Sequence, residues 1–96
     1  MAIQKVCVLG AGIMGAGIAQ IAAHAGFTVT LRDIEDRFVD KGMGTIANNL
    51  DRAVAKGKME KLAAGQIMGR ITGVTDLKAA VTDADLVIEA IIEIMD

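Results

Sequence analysis

Gly10, Ala11, Gly12, Ile13, Met14 and Gly15 set three glycines at the spacing GxGxxG. Between a buried strand and a helix such a loop has a definite use. The first glycine allows a tight turn, the second lets backbone approach a pyrophosphate, and the third lets the helix lie close to the strand. The free N–H groups and positive dipole end of the helix then attract phosphate oxygens. The pattern alone is weak, because protein kinases carry a similar loop between two strands and glycines also serve plain sharp turns. Its setting strengthens it: Asp33 ends the next apolar stretch, about 20 residues on. A carboxylate there accepts hydrogen bonds from both hydroxyls of an adenosine ribose and repels a 2′-phosphate, which favours NAD over NADP. The neighbouring Arg32 leaves the alternative open, since an arginine beside the acid could swing to meet a phosphate.

Other reactive residues are few. His24 is the one histidine and hence the default candidate for a general base, but it falls near the end of the first helix, more than two turns beyond the loop. A C-terminal position favoured by the helix dipole accounts for it. Cys7, the one cysteine, lies in an apolar run and reads as a small core residue rather than a nucleophile. With no second cysteine and one histidine, no metal site is expected. Arg52, Lys56, Lys58 and Lys61 form a basic cluster, either a solvated face or the seat of an anionic ligand.

The elements that must position these residues follow from periodicity. Ile3 to Leu9 is a β-branched run typical of a strand buried on both faces. Ile13 to Ala25 is predicted helical, with an apolar stripe through Ile13, Ala16, Ile18, Ile21, Ala22 and Ala25, and Gly26 placed to end it. Phe27, Val29 and Leu31 alternate with threonines in a second strand. From Glu35 to Lys56, apolar residues at Val39, Met43, Ile46, Leu50 and Val54 predict a long amphipathic helix. Gly42 and Gly44 within it each cost about 1 kcal/mol relative to alanine, which packing must offset. Lys56, Gly57 and Lys58 mark a tight corner before a shorter helix with Met59, Leu62, Ala63 and Ile67 on one side. Ile71 to Thr75 is a third strand, Asp76 to Val81 a helical turn or two, and Leu86 to Ile88 with Ala90 to Ile92 a fourth strand. Alternation of buried strands with helices predicts an α/β fold, a Rossmann-type parallel sheet with helices on both faces. It is incomplete, with about four strands plus a helical hairpin and one unfilled sheet edge.

Composition narrows the partners. The chain has 96 residues, 53% of them hydrophobic, and a net charge of -2, so no polycationic surface for nucleic acid is expected. Two phenylalanines and no other aromatics leave no stacking platform for bases. The uncharged stretch from Val6 to Leu31 would score as a membrane span, but five glycines, Gln20 and His24 within it argue against one. A lone cysteine fits a reducing cytoplasm.

Beyond the loop, the blocks Lys5 to Leu9, Gly15 to Gln20, Arg32 with Asp33, Lys56 to Lys58, Arg70 to Gly73, Asp76 with Leu77, and Asp83 to Ala90 resemble the 3-hydroxyacyl-CoA dehydrogenases. The likeness is greatest to the 3-hydroxybutyryl-CoA dehydrogenases of butyrate-forming bacteria, and it covers the whole chain. What the resemblance implies is an oxidoreductase of fatty acid metabolism that interconverts 3-hydroxybutyryl-CoA and acetoacetyl-CoA with NAD. The loop Gly10 to Gly15 would hold the pyrophosphate and Asp33 the ribose, with Ala90 and Glu93 lining the nicotinamide end. Lys56 would contact CoA, and Asn49 stands where some relatives have a serine near that ligand. Family members use a downstream histidine oriented by a glutamate, together with a helical C-terminal domain that closes over substrate and mediates homodimerisation. Neither falls within these residues, so residues 1–96 are expected to be a partial N-terminal NAD-binding domain, inactive alone. A stand-alone dinucleotide-binding module is the competing expectation.

Overall fold

In the computed structural model, which describes residues 2–90, strands and helices alternate as predicted. The order is β1 Lys5–Leu9, α1 Ile13–His24, β2 Thr28–Arg32, α2 Asp36–Ala55, α3 Lys61–Gly69, β3 Ile71–Val74, α4 Leu77–Thr82 and β4 Leu86–Glu89. All strand pairings are parallel, in the order β3-β2-β1-β4. The chain therefore winds outward from β1 to β3, then reverses and returns to the other side of β1. Because parallel crossovers are right-handed, that reversal puts α4 on the face opposite α1, α2 and α3. The result is the expected Rossmann-type α/β sheet with a helical hairpin.

Register divides the side chains between the faces. Val6 pairs with Val29 and Val8 with Leu31; these four bury against Ala16, Ala19, Ala23, Ile46 and Leu50. Each fully buried Val, Leu or Ile contributes about 1.5–3 kcal/mol. Cys7 and Thr30, one position along, turn toward the face of α4, whose Ala80 is buried.

Helix α1 departs from the expected apolar stripe. Its buried residues are Gly15, Ala16, Ala19 and Ala23, while Ile13 and Ile21 are 85% and 72% exposed. The cause is close approach: a Cβ on Gly15 would strike the Gly10 carbonyl oxygen, so only small side chains fit beneath the helix. In α2 the buried positions are Val39, Gly42, Ile46 and Leu50. Gly42 is explained, since a Cβ there would lie 2.6 Å from the Ala11 carbonyl oxygen; Gly44 faces open space, and nothing in the packing offsets its cost. The corner after α2 turns on Gly57 at φ 71°. In α3 the inward residues are Ala64 and Ile67; Leu62, expected on that side, is 74% exposed, because the narrow inward strip is already taken by that pair.

Strand boundaries shift slightly. β1 starts at Lys5 rather than Ile3, and Asp85 accounts for the alignment of its entry: Oδ2 accepts the N–H groups of Gln4 and Lys5, both at 2.9 Å. The Asp85 N–H donates to the Lys5 carbonyl, which sets β4 beside β1. Among the described residues β3 and β4 are the two edges of the sheet, and on β4 Leu86 and Val87, one on each face, are both exposed. Ile91 and Ile92 of the expected fourth strand, like Glu93, lie outside the described residues.

Candidate functional site

The carboxyl ends of β1, β2 and β4 meet where the winding reverses, the position at which open α/β sheets bind ligands. The glycine loop stands there. Gly10 adopts φ 107°, a conformation L side chains rarely take, and its N–H donates to the Arg32 carbonyl at 2.7 Å. Gly12 is the N-cap residue of α1, with no side-chain cap, and has nothing within 4 Å of where a Cβ would be. Gly12, Ile13 and Met14 are exposed, while Ala11 and Gly15 are buried. The start of α1 thus presents uncapped N–H groups to open space, the chemistry that suits an anion.

Asp33 is brought to this loop from β2. Its Oδ2 accepts the Ala11 N–H at 2.8 Å and its Oδ1 accepts the Ile34 N–H at 2.7 Å. Two clefts share Gly12 and Asp33. One, of about 500 Å³, is lined by Leu9, Gly10, Arg32, Ile34, Leu77 and Ala90 in addition; the other, of about 360 Å³, adds Ala11, Ile13, Phe38, Lys41 and Thr45. Arg32 is tied back, its Nε donating to the Thr75 carbonyl at 2.9 Å. Ala90 is buried beside the loop: its N–H bonds the Leu9 carbonyl at 2.8 Å, and its Cβ would stand 3.5 Å from a Cβ on Gly15.

The remaining sequence candidates lie apart. Asn49, on α2, donates to Gln20 Oε1 and accepts from Arg52 Nη2, both at 3.1 Å. Lys56, seven residues on, shares that side of the helix and is exposed. Among the described residues the ion pair is Arg37 with Glu35, so the basic cluster is not neutralised by an acid there. His24 is exposed in the last turn of α1, about 18 Å along the helix from the loop at 1.5 Å per residue. Cys7 is fully buried; desolvation pushes its thiol pKa up, and Arg32 opposes this. No group able to hold a metal occurs among the described residues, nor is any described helix long and apolar enough to cross a membrane.

Reading by motif missed Ile34 and Leu77 in one cleft and Phe38, Lys41 and Thr45 in the other. A signal existed: the first two lie two and three residues past the ends of β2 and β3, where such folds gather ligand contacts. The latter three recur at three and four residues along the first turns of α2.

Comparison with known proteins agrees with this geometry. The family described as 3-hydroxyacyl-CoA dehydrogenase, NAD binding domain matches residues 5–96. A 3-hydroxybutyryl-CoA dehydrogenase of Bradyrhizobium diazoefficiens is 44% identical over 91 residues, covering 95% of this chain and 31% of that protein. The crystal structure of M. tuberculosis FadB2 superposes with a TM-score of 0.92 at 41% identity, over 97% of this chain and 32% of that one. That of (S)-3-hydroxybutyryl-CoA dehydrogenase from Ralstonia eutropha gives 0.92 at 39% identity, over 98% and 33%. The chain spans about a third of the length of these relatives. Its loop, its strand order and this match over nearly every residue place it in the NAD-binding domain family of the 3-hydroxyacyl-CoA dehydrogenases.

Proposed function

We propose that this chain supplies the NAD site of a cytoplasmic, homodimeric 3-hydroxybutyryl-CoA dehydrogenase, which interconverts 3-hydroxybutyryl-CoA and acetoacetyl-CoA by hydride transfer. The observation that carries the reading is the convergence of Asp33 and the uncapped start of α1 on shared clefts. The N–H groups of Gly12, Ile13, Met14 and Gly15 bind phosphate, with Gly10 and Ala11 shaping the turn behind them, and Asp33 accepts the adenosine ribose hydroxyls. Ala90, with Glu93, borders the nicotinamide end. When bound, NAD supplies the hydride acceptor. The residues here bind and orient it and hold no proton at the reacting carbon.

Asn49 and Lys56 form the CoA contact. Arg52 anchors the Asn49 amide, and Lys56 brings positive charge suited to a phosphate. The proton acceptor belongs to residues outside this chain, because exposed His24 stands at the far end of α1. The same histidine is the observation that favours the second reading, a dinucleotide-binding module without chemistry.

Calorimetric titration of the chain with NAD and with NADP tests the proposal. NAD should bind more tightly, and Asp33→Ala should weaken it by about 1–3 kcal/mol, the range for hydrogen-bonding groups left unpaired. Tighter binding of NADP would refute the role of Asp33. With acetoacetyl-CoA and NADH the chain alone should show no change in NADH absorbance; turnover abolished by His24→Ala would refute the placement of the base elsewhere.

A further inference from the structure

Asp33 and Ala11 lie 22 residues apart, yet the Asp33 carboxylate accepts the Ala11 N–H at 2.8 Å. Its second oxygen is held by the Ile34 N–H at 2.7 Å. Ala11 is confined from behind as well: α2 passes so close that a Cβ on Gly42 would lie 2.6 Å from the Ala11 carbonyl oxygen and 3.0 Å from its Cβ. The preceding N–H, that of Gly10, donates to the Arg32 carbonyl. Both loop N–H groups ahead of Gly12 are therefore bound to the end of β2, and they are not among those turned toward open space at the start of α1.

We propose that Asp33 is a positioning residue for the phosphate loop, latching Ala11 so that the N–H groups of Gly12 to Gly15 point at one place before any nucleotide arrives. The proposal rests on the reading of those N–H groups as phosphate donors. It leaves ribose binding intact, because a carboxylate offers about four lone-pair sites and the latch and the Ile34 bond use one on each oxygen. A carboxylate acting through charge alone has the opposite effect on the loop, since it repels a nearby anion. Removing Asp33 thus separates the two by sign.

The test is amide exchange in the nucleotide-free chain, followed by titration with inorganic pyrophosphate, which has no ribose. In Asp33→Ala the Ala11 amide should exchange about tenfold faster or more, as expected on losing a hydrogen bond to a charged group, while amides in β3 and α3 stay unchanged. Pyrophosphate should shift the Gly12 to Gly15 amides of the unaltered chain. It should bind several-fold more weakly to Asp33→Ala, although a negative charge has been removed. Unchanged exchange at Ala11, or tighter pyrophosphate binding by Asp33→Ala, overturns the latch. Should that variant not fold, Asp33→Asn replaces it: the Ala11 and Ile34 N–H groups bond different carboxylate oxygens, and the amide puts an NH2 donor in place of one of them, so exchange at Ala11 or Ile34 must rise, and no rise at either overturns the proposal. Absence of any pyrophosphate response in the unaltered chain refutes the phosphate reading instead, and the exchange comparison still decides the latch.

Discussion

Replacing Gly15 by alanine tests the close approach on which the loop depends. The added Cβ would strike the Gly10 carbonyl oxygen, stand 2.8 Å from the Gly10 carbonyl carbon and 3.5 Å from Ala90 Cβ. The Gly10 atoms are backbone, and that residue is held by the bond from its N–H to Arg32, so helix α1 has to retreat. Retreat strips packing from Ala16, Ala19 and Ala23, each fully buried against the sheet. Two effects compete. Alanine gains about 1 kcal/mol of helix propensity over glycine, whereas overpacking costs about 1–3 kcal/mol and more when the obstacle cannot move. Gly17 provides the control: it lies in the same helix with nothing within 4 Å of its Cβ position, so propensity acts there alone. Gly17→Ala should stabilise the chain by about 0.5–1 kcal/mol. Gly15→Ala should destabilise it by about 1–3 kcal/mol, and should weaken NAD binding because the first amides of α1 move. Urea denaturation followed by circular dichroism, with the slopes compared, measures both. A Gly15→Ala variant as stable as Gly17→Ala would refute the argument.

The hydrogen bonds from Gln4 and Lys5 hold the Asp85 pKa below its ordinary value. Its stabilisation is therefore complete above the unfolded carboxylate pKa of about 3.9 and is lost as pH falls through the lower folded value; Asp85→Asn should flatten that acid limb in denaturation measured across pH. Cys7, buried and with its thiol pKa raised, should resist alkylation by iodoacetamide in the folded chain and react once urea unfolds it; rapid reaction of the native protein would contradict its burial. Lys56→Ala should weaken CoA binding and make it less sensitive to salt, read by titration at several ionic strengths, and an unchanged salt response would assign Lys56 to a solvated face.

Much of the molecule was legible before any coordinates. The order of strands and helices follows from period alone, since a β-branched run followed by glycines and then a helical repeat has few other solutions. Gly10, Gly12, Gly15 and Asp33 could be picked out because their spacing reflects local geometry: a turn, a cap and a strand end. What sequence could not decide is which apolar residues face inward where the clearance between elements governs the choice. Ile13 and Ile21 read as core and are exposed, because distance from α1 to β1 is set by backbone contact at Gly15 and not by hydrophobicity; Leu62 is exposed too, because Ala64 and Ile67 occupy the inward side of α3. Nor could it show that Ala11 is bonded to Asp33, that Gly42 is a contact point for the loop, or that Arg32 is held by Thr75. Those relations join residues far apart in the chain, and they exist only once β2 lies beside β1 and α2 crosses behind the loop.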